Sequence, residues 1–228
     1  MKREGIDFPI EWRSGKGWLV LIGGTTDFWR GTEAVDRAAI ESMSLDAPIA
    51  FVPAANCPPE YGTSFLAVYE RLGTPDGYVV PIVSRESAQD VKNAALLRDA
   101  GLVYLGGGDT TALLASMTDT PSCEAVGEAY ERGAVICGMS AGAIVLSAWG
   151  VSMGAGVLEG WGWLPRVLVS VHHDAGREAL FESAMREHPD MLGVGLAEDA
   201  ALALGPDRQI ERWGDPDIVI RRGAKFDD

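Results

Sequence analysis

The chain has 228 residues, of which 47% are hydrophobic and 23% charged, and its formal net charge is −14. A chain of this length can bury a substantial core, and we predict a single domain over residues 1–228. The acidity argues against nucleic acid or an anionic membrane as a partner, and no apolar run is long enough to span a bilayer.

Short apolar runs alternate with helical periodicity along the first two thirds of the chain. Strands are predicted at 18–22, 49–52, 78–80, 102–105 and 134–137, and helices at 32–44, 60–72, 87–99 and 122–132. This order predicts an α/β fold with a doubly wound, mostly parallel sheet and helices on both faces. Functional sites in such sheets lie at the carboxyl ends of the strands.

The pattern is weaker in the last third of the chain. Residues 150–165 are rich in Gly and Trp, and we expect them to be irregular. Beyond them we predict strands at 167–171, 193–196, 200–204 and 218–220, and a helix at 177–187.

A Gly-Met-Ser-Ala-Gly segment at 138–142 directly follows the apolar run 134–137. This pattern is typical of a nucleophile elbow, in which a sharp strand-to-helix turn exposes the hydroxyl of the serine, here Ser140. The amide of Ala141 would then point at the same space as an oxyanion donor. With 28 glycines in the chain, the motif alone is also compatible with a plain strand–helix joint.

A reactive serine needs a base, and the chain offers only His172, His173 and His188. His188 precedes a proline at the end of a predicted helix, which favours a solvated role. His172 and His173 follow the strand at 167–171, at the edge where Ser140 is expected. Because neighbouring side chains of an extended segment point to opposite faces, only one of these two can face Ser140. The other is expected to pack or to hydrogen-bond structurally.

The acid that orients the imidazole has two principal candidates. Glu159 is the only acid between Ser140 and His172, whereas Glu198 follows the strand at 193–196. Glu159 would correspond to the Ser-acid-His chain order of α/β-hydrolases. Both residues remain candidates for this acid.

Three glycines at 106–108 follow another strand and precede Asp109 and Thr110. Either polar residue could cap the next helix. A glycine-rich turn at a strand end can also present amides to an oxyanion or a phosphate. No lysine follows the glycines, so the segment lacks the P-loop pattern and nucleotide binding is disfavoured.

Four segments taken together resemble the serine peptidase family of cyanophycinase and dipeptidase E. They are Leu-Gly-Gly-Gly-Asp at 105–109, the elbow extended to Ala143, the stretch 164–172, and Gly-Val-Gly-Leu-Ala-Glu-Asp at 193–199. The resemblance implies a flavodoxin-like fold of the class I glutamine amidotransferase type, with serine replacing cysteine. It also implies a triad of Ser140, His172 and Glu198, and oxyanion donors at Ala141 and at Gly107 or Gly108.

The chain departs from this family at several positions. His173 replaces a common phenylalanine, Thr110 stands where cyanophycinases usually have glutamine, and only Arg177 remains of several arginines after the histidine. We expect Asp109, Thr110, His173 and Arg177 to contact substrate. Arg177 could read a substrate carboxylate as in dipeptidase E, or simply pair with Glu178.

The sequence therefore predicts a serine peptidase acting on small peptides, with an N-terminal aspartyl or a β-aspartyl residue as candidate substrate features. An α/β-hydrolase-type esterase and a catalytically silent binding or regulatory protein on the same scaffold are the alternatives. No cofactor or metal is expected, because Cys57, Cys123, Cys137 and the histidines are scattered. The odd cysteine count and the absence of a signal-type N-terminus predict a cytoplasmic protein with reduced thiols. The sequence does not distinguish a monomer from a homodimer, and we expect one of the two.

Overall fold

A computed structural model of the protein describes residues 3–5, 8–27, 30–74 and 76–227. The strands within these ranges are β1 (Arg3–Gly5), β2 (Leu19–Ile22), β3 (Ile49–Val52), β4 (Gly77–Val79), β5 (Leu102–Leu105), β6 (Val135–Met139), β7 (Ser147–Ser152), β8 (Gly156–Glu159), β9 (Leu164–Ser170), β10 (Leu192–Leu196), β11 (Ala201–Leu204), β12 (Ile210–Trp213) and β13 (Ile218–Arg222).

The helices are α1 (Glu33–Glu41), α2 (Pro59–Arg71), α3 (Arg85–Gln89), α4 (Val91–Asp99), α5 (Thr110–Met117), α6 (Pro121–Arg132), α7 (Ala141–Leu146) and α8 (Glu178–Glu187). The single helix predicted at 87–99 is divided at Asp90, whose backbone is extended and whose carboxylate accepts a hydrogen bond from the Lys92 amide at 2.9 Å. Asp90 therefore ends α3 and caps α4. A 3₁₀ turn, Pro206–Arg208, precedes β12.

The main sheet has the strand order β1-β12-β11-β2-β6-β5-β3-β4. The five strands from β2 to β4 are parallel, whereas β11, β12 and β1 extend the sheet with antiparallel pairings. Side chains alternate across the sheet, so Leu19 and Leu21 pack with α3–α7 while Val20 and Ile22 pack with α1 and α2. The predicted α/β class with helices on both faces is confirmed, and the sheet is mixed at one side.

A second sheet, of order β13-β10-β9-β7-β8, includes most of the stretch that we expected to be irregular. Strands β7 and β8 form an antiparallel hairpin, and β7 also pairs in parallel with β9. One face of this sheet packs into the main core through residues such as Val169 and Val194, and the other face is covered by α8. The expectation of irregular structure at 150–165 was wrong.

The two sheets meet where their parallel strands end. The amide of Ser140, after β6, donates to the carbonyl of Ile22 at 2.9 Å, and the amide of His172, after β9, donates to that of Gly23 at 2.9 Å. These bonds bring the segments that follow β2, β6 and β9 to one edge. Within the described part of the chain, no helix is both long and apolar enough to cross a membrane.

Candidate active site

Ser140 occupies a tight turn between β6 and α7, with φ 51° and ψ −105°. A non-glycine residue rarely adopts a positive φ, and such strain is characteristic of functional turns. The two flanking positions require glycine because carbonyl oxygens of other residues approach them closely. A Cβ atom at Gly138 would lie 2.4 Å from the Gly142 carbonyl oxygen, and one at Gly142 would lie 2.4 Å from the Leu105 carbonyl oxygen. The backbone around Ser140 therefore makes a sharp turn from strand to helix.

The Oγ atom of Ser140 lies 2.8 Å from Nε2 of His172. His172 also has a positive φ, of 48°. This conformation interrupts the extended chain after β9 and directs the imidazole toward Ser140. His173 points elsewhere, so of the two adjacent histidines it is His172 that faces the serine.

The other imidazole nitrogen, Nδ1 of His172, lies 3.0 Å from Oε1 of Glu198. Both side chains are partly exposed, at 30% and 38%. Glu159 is exposed at the end of β8, opposite Trp149 on β7. Of the two acids that the sequence left open, Glu198 is therefore the one in contact with His172.

Asp199 joins the loop after β2 to the loop after β10. Its backbone amide donates to the Gly24 carbonyl at 3.0 Å, and its carboxylate accepts hydrogen bonds from the amide and hydroxyl of Thr26. The residue has a φ of 62°. These contacts hold the neighbouring Glu198 beside the loop that contacts His172.

The glycine loop at 106–108 approaches Ser140 from the end of β5. A Cβ atom at Gly107 would lie 3.4 Å from the Cβ atom of Ser140. Gly108 has a φ of 138°, and a Cβ atom there would lie 2.2 Å from the Ala55 carbonyl oxygen. Among the described residues, the amides of Gly107, Gly108 and Ala141 have no hydrogen-bond acceptor. These amides are therefore available to a ligand.

A cavity of about 280 Å³ opens onto Ser140. Its lining residues are Gly24, Thr25, Pro58, Tyr61, Gly107, Gly108, Met139, Ser140 and His172. Burial raises the pKa of Tyr61 above its ordinary value of 10, and nearby Cys57 and Glu60 raise it further. The phenol is therefore neutral at physiological pH, and the described lining residues include no Asp, Glu, Lys or Arg.

The residues that we predicted to contact substrate do not lie together in this cavity. Asp109 caps α5, because its carboxylate accepts hydrogen bonds from the amides of Thr111 and Ala112 at 2.8 and 3.1 Å. Thr110 is buried, with its hydroxyl 3.5 Å from that of Ser152. Neither lines the cavity at Ser140.

His173 is buried, and both of its ring nitrogens contact protein atoms. Nδ1 lies 3.1 Å from Ser170 Oγ, and Nε2 lies 3.1 Å from Glu178 Oε2. The ring packs edge-on against Phe181. Glu178 also pairs with Arg221. We expected one of the two adjacent histidines to face Ser140 and the other to pack or hydrogen-bond within the protein. These contacts give His173 the second role.

Arg177 lines a separate cavity of about 350 Å³ on the Glu198 side of His172. Its guanidinium donates to the Val171 carbonyl at 3.3 Å, and the side chain is half-buried. The third histidine, His188, ends α8 and packs against Trp149 in a tilted arrangement, with ring centroids 4.2 Å apart. It is thus half-buried rather than solvated.

Several residues at the site were not anticipated from the sequence. Gly24 and Thr25 follow β2, while Pro58 and Tyr61 follow β3, and all four line the cavity. Cys57, beside Pro58, contacts the Gly107 carbonyl. Ligands bind at the carboxyl ends of parallel strands. The position of these residues after β2 and β3 could therefore have identified them as candidate site residues. Among the described residues, no group of three or more His, Cys, Asp or Glu side chains could hold a metal ion.

The sequence model of peptidase family S51 matches residues 19–211. With that match, the fold and the site define a serine-type peptidase, a hydrolase. The chain belongs to peptidase family S51, which confirms the family resemblance read from its motifs.

Curated relatives include cyanophycinases. The chain is 28% identical to the cyanophycinase of Geminocystis herdmanii (strain PCC 6308) over 218 residues, which cover 90% of this chain and 80% of the relative. It is 27% identical to the cyanophycinase of Trichormus variabilis (strain ATCC 29413 / PCC 7937) over 215 residues, covering 89% of this chain and 72% of the relative.

Solved structures share the fold. A peptidase from an acI-B1 Actinobacterium superposes with a TM-score of 0.74 and 24% identity, covering 91% of each chain. A candidate peptidase E from Listeria monocytogenes EGD-e superposes with a TM-score of 0.58 and 15% identity, covering 90% of this chain and 98% of the other.

Proposed function

We propose that Ser140, His172 and Glu198 form the catalytic triad of a serine peptidase that hydrolyses small peptides. The observation that carries this proposal is the unbroken chain of contacts from Ser140 Oγ to His172 Nε2 at 2.8 Å and from His172 Nδ1 to Glu198 Oε1 at 3.0 Å. Two further features support acyl transfer: the strained turn exposes Ser140, and the nearby amides have no acceptor among the described residues.

In this mechanism Ser140 Oγ attacks the scissile carbonyl while His172 Nε2 takes the hydroxyl proton. The amides of Ala141 and of Gly107 or Gly108 stabilise the oxyanion of the tetrahedral intermediate. His172 then donates the proton to the leaving amine, which departs and leaves an acyl-enzyme. Water, deprotonated by His172, releases the acid and restores Ser140. Glu198 holds the imidazole and stabilises its charged form throughout.

A charged group of the substrate would be bound outside the cavity at Ser140, because the described residues lining that cavity include no Asp, Glu, Lys or Arg. A candidate for binding that group is Arg177, which lines the cavity that also contains His172 and Glu198. A guanidinium binds a carboxylate with matching geometry. This supports two substrate classes: peptides with an N-terminal aspartyl residue, as in dipeptidase E, and peptides with a β-aspartyl link, as in cyanophycinase. The cyanophycinases among the relatives favour testing the second class.

A dipeptide-library hydrolysis screen, combined with labelling by a serine-directed fluorophosphonate, tests the proposal. The wild-type protein should be labelled and should hydrolyse members of the library, and Ser140→Ala should abolish both properties. Full hydrolysis by folded Ser140→Ala would contradict the proposal. A folded wild type that is not labelled and binds a small ligand tightly would instead support the silent binding protein.

A further inference from the structure

The end of β3 and the loop that follows it hold the glycine loop next to Ser140 through three hydrogen bonds. The amide of Gly106 donates to the Val52 carbonyl at 3.1 Å, and the amide of Asp109 donates to the Ala55 carbonyl at 2.8 Å. Between these two backbone contacts, the Sγ atom of Cys57 lies 2.9 Å from the Gly107 carbonyl oxygen. Cys57 thus supplies the side-chain contact at the middle of the glycine loop.

The Cys57 thiol is the donor in this contact, because a carbonyl oxygen can only accept. Burial raises the pKa of Cys57 to about 11, so the sulfur keeps its proton at neutral pH. A cysteine held in this state is a poor nucleophile and a competent, if weak, hydrogen-bond donor. Cys57 therefore acts as a hydrogen-bond donor that holds the Gly107 carbonyl in place.

The hydrogen bond from Cys57 to the Gly107 carbonyl also determines where the Gly108 amide points. The Gly107 carbonyl and the Gly108 amide belong to one planar trans peptide, so they point in opposite directions. Fixing the carbonyl toward Cys57 directs the N–H of Gly108 away from it. Gly107 and Gly108 both line the cavity with Ser140, and the Gly108 amide has no acceptor among the described residues.

We propose that Cys57 is a positioning residue for the oxyanion site, holding the Gly107–Gly108 peptide with its N–H toward the reacting carbonyl. This inference rests on the proposed peptidase function. Glycine pairs rotate their shared peptide easily, because neither residue has a Cβ atom. A rotated peptide would present the Gly107 oxygen in place of the Gly108 amide, replacing a donor by an acceptor that repels the developing oxyanion.

The test compares Cys57→Ala, which removes the donor, with Cys57→Ser, which keeps one. The measurements are the second-order rate of fluorophosphonate labelling at Ser140 and the kcat and KM for a dipeptide that the wild type hydrolyses. We expect Cys57→Ala to lower the labelling rate and kcat about tenfold, less than the loss of a whole oxyanion donor, with KM nearly unchanged. Cys57→Ser should restore both rates to within about threefold of wild type.

Cys123→Ala is the matched control, because Cys123 is also half-buried but lines a different cavity beside Trp161. It should leave the labelling rate unchanged. If Cys57→Ala lowers the melting temperature, Cys57→Val replaces it, since valine fills the thiol's space without a donor. Wild-type labelling rates in a folded Cys57→Ala or Cys57→Val protein would overturn the inference and leave the peptidase proposal standing. A folded wild type that is not labelled at Ser140 would overturn both.

Discussion

Gly24 and His172 are in contact in a way that leaves no space for a side chain at position 24. A Cβ atom on Gly24 would lie 2.3 Å from both Nδ1 and Cε1 of the His172 ring. The φ of Gly24 is 151°, a conformation that favours glycine. Because Nδ1 is also the atom that contacts Glu198, the backbone at Gly24 determines where the imidazole can lie.

Gly24→Ala should therefore displace the His172 ring and lower kcat about 100-fold, because a misplacement of about 1 Å in a catalytic group has a cost of this order. Hydrolysis of a dipeptide substrate measures the effect. Gly154→Ala is the control, since Gly154 has a φ of 86° but no atom within 4 Å of a built Cβ. That control imposes backbone strain without a clash. Equal activity in the two variants would contradict the steric argument.

Glu198→Gln should lower kcat by about 10²–10⁴-fold, because an amide at this position does not stabilise the imidazolium and can favour the wrong tautomer of His172. Glu159→Gln should leave kcat within about twofold of wild type, since Glu159 is exposed on β8. Steady-state kinetics of both variants separates the peptidase arrangement from the esterase alternative. Loss of activity in Glu159→Gln alone would favour the esterase.

The elbow and the first five parallel strands could be predicted because their determinants are local. Apolar runs of three to five residues end at glycine or proline, and the glycines at 138 and 142 surround Ser140 within one turn. The choice between His172 and His173 could not be made from periodicity alone, because it depends on the positive φ of His172. The family resemblance identified His172, and the contact with Ser140 agrees with that choice.

Strands β9, β10 and β13 of the second sheet were predicted, whereas β7 and β8 were missed because long-range packing, rather than local sequence preference, determines them. Gly150 suggests a loop, yet it lies in the middle of β7, where a Cβ atom would come within 2.6 Å of the Ile144 side chain on α7. The glycine allows helix and strand to approach closely. Strand β1 at the sheet edge and its neighbour β12 are short and carry charged residues, so neither has a continuous apolar run.

His173→Ala should destabilise the protein by about 1–3 kcal/mol, because it leaves the buried Ser170 hydroxyl and the Glu178 carboxylate without their imidazole partner. Urea denaturation measures this loss. Activity per folded molecule should remain within about threefold of wild type. His188→Ala is the control, since that ring is half-buried against Trp149. An unchanged stability combined with a large rise in KM would indicate that His173 contacts substrate instead.

Asp36 on α1 is a buried acid that the proposed mechanism does not use. Its carboxyl group accepts hydrogen bonds from Tyr69 at 2.7 Å and from Thr32 at 2.9 Å. Burial raises the pKa of Asp36 from 3.8 to about 7, with the two hydrogen bonds opposing the shift and Glu33 adding to it. The folded protein therefore binds a proton at Asp36 more tightly than the unfolded chain does.

The stability contributed by this proton is complete below about pH 4 and is lost as the pH rises through about 7. Asp36→Asn keeps a neutral group in the same place, so its free energy of unfolding should match wild type near pH 4. At pH 8 the variant should be more stable by roughly 1–4 kcal/mol. Urea denaturation at both pH values measures this difference, and Asp215→Asn, an exposed position, controls for the lost charge. A wild type that is the more stable protein at pH 8 would mean that Asp36 is held as a stabilised carboxylate.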